Sequence, residues 1–498
     1  MKNIVYLPLD ERPCNYNFAG FLCENNKEIN LIRPELSVLG DKKTPADFNG
    51  VKAFLLSNAK TADYLICSVD MLLYGGIVPS RLHRLGEKEL TERLDLLRVL
   101  KAENPNLKIY AFSLVMRCPC YSSSEEEPDY YGVCGEEIFL YGQNEHKRLL
   151  NAVSEEEYLK TKQELYKKCG AYLNDFLTRR KINVELVKKA VLLARDVIDY
   201  FIIPQDDSNP VGFTAMDQAA VKETLNKNGI SVDIYPGADE VGLTLLARAL
   251  TDIKKYSPKI YPVYPKDECK NVIPTYEDRE VYKTIALQIK NAGGVLADSK
   301  ENADVLLYCN LPVGEMKNTM FQFGESYDKR ELSKFIANVC ADVKSGKAVA
   351  IADIAYLNGG DIELTKTVSE KIGLLSLAGY SGWNTSSNSL GTVICQSIFY
   401  CFYGKTAAHL RFTAERIYED VAYCSVVRRD VSENDLPAMG CDFTRADGVR
   451  NKASEIVLKK INSYMQNNYP EIYNAYKVAD CYLPWNRTFE VGLIVTER

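Results

Sequence analysis

The stretch from Tyr200 to Gly242 constrains the fold more than any other part of the sequence. Phe201–Ile203 and Val232–Tyr235 are short apolar runs, and each is stopped abruptly by a proline. Such runs are typical of buried strands that end at a turn. Between them, residues 215–228 carry apolar side chains at helical spacing. The stretch therefore predicts a β-α-β unit, in which two parallel strands are joined by a right-handed helical crossover.

Two adjacent acidic residues follow each of these predicted strands. Asp206 and Asp207 follow the first, and Asp239 and Glu240 follow the second. Ligands of parallel sheets meet the loops at the carboxyl ends of the strands, so we expect these four carboxylates to be catalytic. The alternative is that an acidic residue caps the next helix, as Asp239 or Glu240 would do for a helix that begins at Val241.

The same alternation of strands and helices continues along the chain and indicates an α/β fold, with about eleven candidate strands. The first eight would close a (β/α)8-barrel-like catalytic domain over residues 1–300. Residues 301–410 would add a further α/β layer that contributes to the site, and residues 411–498 would be a mostly helical tail. The alternative is two doubly wound α/β lobes, residues 1–256 and 257–410.

Polar side chains follow several other predicted strands, and we expect them to bind substrate. They are Asp10, Arg12, Asp70, Tyr74, Arg81 and Arg117 in the first half, and Asp353 and Asn358 in the second. The arginines would orient carboxylates or bind an acidic substituent, because a guanidinium presents a fork of donors to such groups. We expect the acidic strand ends to line one cavity.

The segment GYSGWNTSSNSLG, residues 379–391, contains one of only two tryptophans. Trp383 would stack on a sugar ring, with Asn384 and Asn388 hydrogen bonding to its rim, and would line the same cavity as the strand-end acids. One alternative is a phosphate cradle at the N-terminus of the helix near Leu390. Another is a structural turn with Trp383 in the core.

Composition removes several classes of function. A net charge of −6 over 498 residues, without a cluster of Lys and Arg, argues against nucleic acid as a partner. Three histidines make a multi-histidine metal centre a poor expectation, so no metal ligand is assigned. No apolar run is long enough to span a membrane. Fifteen cysteines without paired spacing, and a start that reads as a strand and not as a leader, predict free thiols and a cytoplasmic protein.

These residues predict a carbohydrate-active hydrolase, a glycosidase that uses paired carboxylates on a small glycoside or oligosaccharide. Amide replacements of Asp207 and Glu240 should fold and lose turnover, whereas Asp206→Asn should be milder. One alternative is a hydrolase that needs a divalent metal, Mg²⁺ or Mn²⁺, held by the same acids. A non-catalytic sugar-binding or sensing protein is the other. No cofactor besides that metal is predicted, and the pattern does not indicate an oligomeric state.

The sequence also contains seven ordered blocks: PLDERPCNY, SVDMLLYGGIVPSR, PQDDSNPVG, YPGADEVGLTLLAR, ADIAYLNGGD, GYSGWNTSSNSLGT and LPWNRTFE. In this order they resemble the signature blocks of a bacterial family that has been catalogued as a domain of unknown function. The blocks extend over nearly the whole chain, which implies membership of that family. The resemblance implies no reaction and no site residues, so the roles given above come from the chemistry of the residues alone.

Overall fold

Parallel strands of buried apolar residues form the centre of each of two units in the computed structural model, which describes residues 1–322 and 330–498. The first unit comprises residues 1–11, 26–242 and 276–278. The second comprises residues 12–25, 243–275 and 279–498. The predicted boundaries at residues 300 and 410 both lie within the second unit.

Six parallel strands make the sheet of the first unit: β1 (Lys2–Leu7), β2 (Ile29–Ile32), β3 (Tyr64–Ser68), β4 (Lys108–Phe112), β5 (Tyr200–Gln205) and β6 (Asp233–Pro236). Their spatial order is β2-β1-β3-β4-β5-β6. Every residue of β3 is buried, as expected for a parallel sheet that is covered on both faces. The predicted β-α-β unit is confirmed, since β5 and β6 pair in parallel with Ile203 opposite Ile234.

The helices of the first unit are α2 (Phe48–Asn58), α3 (Val69–Tyr74), α4 (Ile77–Leu82), α5 (Glu87–Leu94), α6 (Leu96–Glu103), α7 (Tyr131–Leu149), α8 (Glu155–Leu193) and α9 (Phe213–Asn228). The longest is α8, whose 39 residues extend over about 58 Å at about 1.5 Å per residue. It begins at a Ser154 cap, followed by three glutamates that suit the positive end of the helix dipole. None of the helices that the structure describes is long and apolar enough to cross a membrane.

The second unit contains another parallel sheet, formed by β7 (Lys259–Val263), β8 (Val295–Leu296), β9 (Val305–Asn310), β11 (Val349–Asp353) and β13 (Gly379–Ser381). Its order is β13-β11-β9-β7-β8. Two small sheets pair β10 (Lys317–Asn318) with β12 (Tyr356–Leu357), and β14 (Tyr476–Tyr482) with β15 (Gly492–Glu497). In both large sheets the first strand lies between the second and the third, which is a doubly wound order.

The helices of the second unit are α1 (Pro13–Cys23), α10 (Val241–Lys254), α11 (Val281–Asn291), α12 (Leu332–Lys344), α13 (Ile362–Ile372), α14 (Ser386–Tyr403), α15 (Ala407–Arg416), α16 (Arg428–Asp430), α17 (Lys452–Asn468) and α18 (Pro470–Ala475). Two π-helical segments, Ile417–Val427 and Val431–Asp435, flank α16. Such segments are rare and are often found at functional sites.

The first eight strands do not close into a barrel. In the described part of the chain, β2 and β6 are the edges of an open sheet, and β7 and β8 pair in the other sheet. Closure would have required β8 to pair with β1. The α/β class is therefore confirmed, and the two parallel sheets agree with the alternative of two doubly wound lobes in place of the barrel.

The C-terminal region differs from the predicted helical tail in one respect. Its helices are followed by the antiparallel hairpin of β14 and β15, which packs against α17 and contributes Val478 and Val495 to the core of the second unit. The apolar run at residues 374–378 is typical of a strand but does not form one. Leu374–Ser376 is a short 3₁₀ helix, and the strand of that region begins at Gly379.

All fifteen cysteines, none of which falls in residues 323–329, are free thiols, and most are buried. We expect reductant to leave the thermal midpoint of unfolding unchanged, because no cross-link restrains the unfolded chain. Melting curves with and without dithiothreitol, together with titration of free thiols after denaturation, check this prediction. A midpoint that falls in dithiothreitol would show structural disulfides and contradict it.

Candidate active site

Chemically active side chains meet at one edge of the first unit's sheet. They follow successive strands: Asp10 follows β1, Asp70 β3, Arg117 β4, Asp206 and Asp207 β5, and Asp239 and Glu240 β6. Because all six strands are parallel, their carboxyl ends share this edge. From β1 to β6 the edge extends over about 19 Å, at about 4.8 Å between neighbouring strands. One sugar ring would therefore contact only part of the set.

Two arginines and four carboxylates form the centre of this edge: Arg81, Arg117, Glu126, Glu127, Asp206 and Asp207, hereafter the arginine–carboxylate network. Arg81, on α4, lies 2.8 Å from Asp206, 3.1 Å from Glu126 and 3.4 Å from Glu127. Its side chain is only 2% exposed. Burying a guanidinium this deeply is costly unless carboxylates surround it, as they do here.

Arg117 makes the matching set of contacts from the end of β4. Its nitrogens lie 2.8 Å from Glu127, 3.0 Å from Glu126 and 2.9 Å from Asp207. Both arginines therefore bind carboxylates of the protein itself. Of the two roles predicted for Arg81 and Arg117, the contacts agree with the orientation of carboxylates and not with the binding of an acidic substituent. The adjacent acids Asp206 and Asp207 lie in the turn that follows β5, where Asp207 has a positive φ of 38°, and they engage different arginines.

Helix α8 holds both arginine-bearing segments in place. Arg180 donates to the carbonyl oxygens of Met116 at 2.8 Å and Arg117 at 3.0 Å, and it pairs with Asp217 at 2.6 Å. Asn183 donates to the carbonyl oxygen of Ser80 at 2.8 Å. The C-terminal half of this helix thus fixes the backbone beside each guanidinium of the network.

Part of the network is accessible from solvent. The side chains of Asp207 and Glu126 are each 20% exposed and that of Asp206 is 13% exposed, whereas Glu127 is 1% exposed. A ligand can therefore reach three carboxylates at the rim, with the two arginines and Glu127 behind them.

Two acids of this edge have pKa values close to neutrality. Burial raises the pKa of Asp207 to about 6, the charge of Asp206 raises it further, and the two arginines oppose the shift. Burial also raises the pKa of Asp70 to about 7, although its carboxylate accepts a hydrogen bond from the Leu114 amide at 2.9 Å. Each group can therefore hold or release a proton near pH 7, as a general acid or base must.

Two tyrosines lie near Asp207 and are each 43% exposed, namely Tyr121 and Tyr276. Burial raises the pKa of Tyr121 to about 12, and the negative charge of Asp207 contributes to that shift. The pKa of Tyr276 is raised by burial and then by the charge of Asp207. The Tyr276 carbonyl accepts a hydrogen bond from the Ser208 amide at 3.0 Å, which ties this residue to the loop that carries Asp207. The candidate site thus has half-exposed aromatic rings beside its titratable carboxylate.

The acidic pair after β6 divides into two different environments. Glu240 is completely buried, and its carboxylate accepts a hydrogen bond from the Ala238 amide at 3.0 Å. It also covers Gly237, where a Cβ would lie 2.1 Å from the carboxylate, so only glycine fits there. Glu240 therefore stabilises its own loop, as in the capping alternative, which corrects its assignment as a catalytic group. Asp239 is 7% exposed and remains the candidate at this strand end.

The remaining first-unit candidates are buried beneath this edge. Asp10 is 2% exposed and Tyr74 is 4% exposed. The ring of Tyr74 stacks on His83, with the ring centroids 4.6 Å apart. Asp70 is 3% exposed, so the side chains of these three residues are buried and do not offer a surface to substrate, in contrast to the expectation.

A second polar cluster lies at the carboxyl edge of the second unit's sheet. Asp353 accepts hydrogen bonds from Asn310 at 2.8 Å, from the Tyr380 hydroxyl at 2.8 Å and from the Asp361 amide at 2.7 Å. Arg330 donates to Asp361 at 2.6 Å. Burial raises the pKa of Asp353 to about 7, with a further contribution from the charge of Asp361. All five side chains are at most 3% exposed, so Asp353 is part of an internal network and not a surface for substrate.

A buried guanidinium also sits where α15 passes into the first π-helical segment. Arg416 is completely buried, pairs with Glu415, Glu419 and Asp420, and stacks on Phe18 at 3.8 Å. Asp420 in turn accepts a hydrogen bond from the Gly382 amide at 2.7 Å. This cluster thereby attaches the π-helical segment to the loop that contains Trp383.

Trp383 itself is only 5% exposed. It packs edge-on against Phe18, with the ring centroids 5.8 Å apart, and its indole N–H donates to Thr392 at 3.2 Å. A ring enclosed in this way cannot stack on a sugar that arrives from solvent. The core alternative is therefore correct for Trp383, and the expectation of a sugar platform is wrong.

The other polar residues predicted in this region also have internal partners. The Asn384 carbonyl accepts a hydrogen bond from the Asn358 amide at 2.8 Å, and Asn388 is 3% exposed and bonds to Thr385 at the start of α14. Arg12 is 5% exposed, lies 3.4 Å from Glu490 and stacks on Trp485. These contacts give the side chains of Asn388 and Arg12 structural roles in the second unit. Asn358 and Asn384 are joined only through their backbone here, and their partly exposed side chains stay predicted contacts of the substrate.

Within residues 1–322 and 330–498, no three His, Cys, Asp or Glu side chains are grouped so that they could hold a metal ion. Of the four acids that the metal-dependent alternative uses, Asp206 is bound to Arg81 and Asp207 to Arg117. The metal-dependent alternative therefore has no ligand set in that part of the chain.

Several residues of the polar clusters in the two units were not predicted. Glu126 and Glu127 belong to a run of three glutamates in the long loop after β4, which resembles an ordinary solvated segment. Arg180 lies in a charged helix, where nothing distinguishes it from its neighbours. Arg416 offered a signal: it lies within AERIYED, where charged residues recur three and four positions apart in an otherwise apolar run.

The fold and the site together define an α/β protein with two doubly wound sheets and an arginine–carboxylate network at the edge of the first. No curated protein matches the chain. A family model described as "Protein of unknown function (DUF4127)" matches residues 4–494, nearly the entire sequence. The chain belongs to this family.

Proposed function

We propose that the protein is a hydrolase of a small glycoside or oligosaccharide, with Asp207 as the general acid. One observation carries the proposal: Asp207 is a partly exposed carboxyl group at a strand end whose pKa is raised to about 6. A carboxylic acid that keeps a proton near neutral pH is what protonation of a glycosidic oxygen requires. Arg117 orients Asp207, since it donates to one carboxylate oxygen at 2.9 Å.

Asp239 is the second carboxylate in this proposal. It follows β6, the strand that pairs with β5, and neighbouring strands lie about 4.8 Å apart. Asp239 would act as the nucleophile or would activate a water molecule, while Asp207 protonates the leaving oxygen. Tyr121 and Tyr276 would supply the aromatic surface for the sugar that Trp383 does not supply.

The test is turnover on a panel of chromogenic glycosides, with and without EDTA. We expect cleavage of at least one glycoside, unaffected by EDTA. Loss of activity in EDTA that Mn²⁺ restores would overturn the two-carboxylate mechanism in favour of the metal-dependent one. Saturable sugar binding without cleavage of any glycoside would favour the non-catalytic sugar-binding protein.

The free thiols favour a reducing compartment, and we propose the cytoplasm as the place of action.

Trp383→Phe provides a check on the placement of the sugar. We expect a loss of about 1–2 kcal/mol in the free energy of unfolding, because the bond to Thr392 is lost and the smaller ring leaves a gap. KM for the cleaved glycoside should not change, since the ring does not face solvent. Urea unfolding and steady-state kinetics measure the two effects. A large rise in KM at unchanged stability would restore Trp383 to the site.

A further inference from the structure

The second unit contains a cavity at the carboxyl ends of two neighbouring strands, hereafter the second-sheet cavity. Its volume is about 460 Å³, which lies within the range of about 300–1,000 Å³ that small-molecule sites occupy. The loop after β7, residues 264–275, forms one wall, and the loop after β9, residues 311–316, forms the other. Both loops belong to the second unit.

The position of this cavity agrees with the topology of the sheet. In the order β13-β11-β9-β7-β8, the second strand in the chain, β8, lies on one side of β7, and the third, β9, lies on the other. Doubly wound sheets of this order bind their ligands in the crevice between the first and the third strand. Strands β7 and β9 pair in parallel, with Val263 opposite Tyr308, so their carboxyl ends are adjacent. Topology and cavity shape therefore indicate the same place for a ligand.

The lining of the second-sheet cavity is part apolar and part acidic. Val272, Ile273 and Val313, hereafter the aliphatic wall, supply apolar surface from both loops. Ile273 is 56% exposed, so a ligand that covers it would remove apolar area from water. Glu268 and Glu315 add one carboxylate from each loop.

The basic residues around the cavity do not neutralise these two carboxylates. They are paired with other acids, as Lys266–Glu331, Lys270–Asp267 and Arg330–Asp361. Neither Glu268 nor Glu315 forms an ion pair with a Lys or Arg in residues 1–322 and 330–498. The two carboxylates therefore attract a cation into the cavity and repel an anion.

We propose that the second-sheet cavity binds a small organic cation, a protonated amine on an aliphatic chain. The ammonium group donates hydrogen bonds to Glu268 and Glu315, and the side-chain oxygen of Asn271, which also lines the cavity, accepts a further one. The aliphatic chain packs on the aliphatic wall. This inference does not depend on the proposed hydrolase function, because the cavity is lined by residues of the second unit alone.

The test is binding of n-hexylamine, 1-hexanol and hexanoate at pH 7, measured by NMR titration. These probes share a six-carbon chain and carry a positive charge, no charge and a negative charge, respectively. We expect one hexylamine to bind per chain, tenfold or more tightly than hexanol or hexanoate. The ammonium ion, which has the charge without the chain, should also bind at least tenfold more weakly than hexylamine.

Charge-removing variants locate the binding. Glu268→Gln and Glu315→Gln should each weaken hexylamine binding severalfold, and the double variant should lose the preference for hexylamine over hexanol. Both residues are exposed, so the thermal midpoints should not change. Glu370→Gln is the matched control, because it removes an exposed acid on α13 that does not line the cavity. It should bind hexylamine as the wild type does.

A preference for hexylamine that is lost in the double variant and kept in Glu370→Gln supports the inference. Equal binding of hexylamine and hexanol, tighter binding of hexanoate, or no saturable binding of hexylamine overturns it. A preference that survives in the double variant also overturns it, because the amine then binds elsewhere. Turnover of glycosides bears on the hydrolase alone, so either proposal can fail without the other.

Discussion

Asp207→Asn is expected to lower turnover by about 10²- to 10⁴-fold while the protein keeps a near-native thermal midpoint. The amide preserves the shape of the side chain, and its oxygen can still accept the hydrogen bond from Arg117. It has no acidic proton to donate, and loss of a general acid typically costs this much in rate. Turnover on the best glycoside of the panel and a thermal melt of the same sample measure both effects.

The pH dependence of the wild type follows from the same group. Asp207 acts as an acid only when protonated, and its pKa is raised to about 6 by burial and by the charge of Asp206. Turnover should therefore decline above about pH 6, by about tenfold per pH unit once the group is ionised. This decline should be absent in Asp207→Asn, whose residual rate does not depend on that proton.

Three neighbouring variants act as controls for this assignment. Asp239→Asn should also lose turnover, because it removes the partner carboxylate. Asp206→Asn should be milder, since it loosens Arg81 and leaves the acid in place. Glu240→Gln should act on stability more than on rate, because Glu240 is enclosed in its own loop. Full activity in Asp207→Asn would remove it as the acid. Unfolding of both Asp207→Asn and Asp239→Asn would show that these acids are structural.

Arg416→Met is expected to destabilise the second unit by about 3–5 kcal/mol. Arg416 is completely buried and pairs with three carboxylates, those of Glu415, Glu419 and Asp420, all of which are buried as well. Methionine fills much of the volume but leaves these carboxylates without their counter-charge, which is the costly way to break a buried ion pair. Arg429→Met is the matched control, because Arg429 pairs with Glu433 in an exposed i,i+4 arrangement and should cost less than about 1 kcal/mol.

The loss in the free energy of unfolding caused by Arg416→Met should increase as the pH rises. Burial raises the pKa of Glu415 to about 8 and that of Asp420 to about 7 in the folded protein, well above their usual values. The folded state therefore binds more protons than the unfolded state between about pH 4 and 8, and stability falls as pH rises through this range. Without Arg416 the effect should grow, so urea unfolding should show a larger deficit at pH 8 than at pH 5. An equal deficit at both values, or one no larger than that of Arg429→Met, would contradict this account.

Local pattern was enough to predict the strand ends of the first unit. The apolar runs, the prolines that stop them and the acids that follow gave the β5-α9-β6 unit and placed Asp70, Arg117 and Asp207 at one edge. These features depend on neighbouring residues and on the rule that parallel strands share a carboxyl edge. They require no knowledge of which distant strands pair.

Strand pairing and burial could not be obtained in the same way. The pattern of β7 and β8 suits a barrel as well as a second sheet, because the choice depends on contacts with strands that follow later in the chain. Trp383 has the neighbours of a sugar platform, and only its packing against Phe18 shows that it is enclosed. Glu126 and Glu127 pair with Arg81, which lies some forty-five residues earlier in the chain. A pattern of neighbouring residues does not show that these side chains are in contact.

The division of the chain into interleaved segments limits how the protein can be taken apart. The first unit is assembled from residues 1–11, 26–242 and 276–278, so the chain crosses between the two units five times. Any continuous fragment that contains the whole first unit must also carry residues 12–25 and 243–275, which belong to the core of the other. Cleavage of the chain at one position releases neither unit. Strand β1 belongs to the first unit, whereas helix α1, which follows it directly, belongs to the second. Expression of halves should yield insoluble material, and exchange of one unit between relatives would require five matched junctions rather than one.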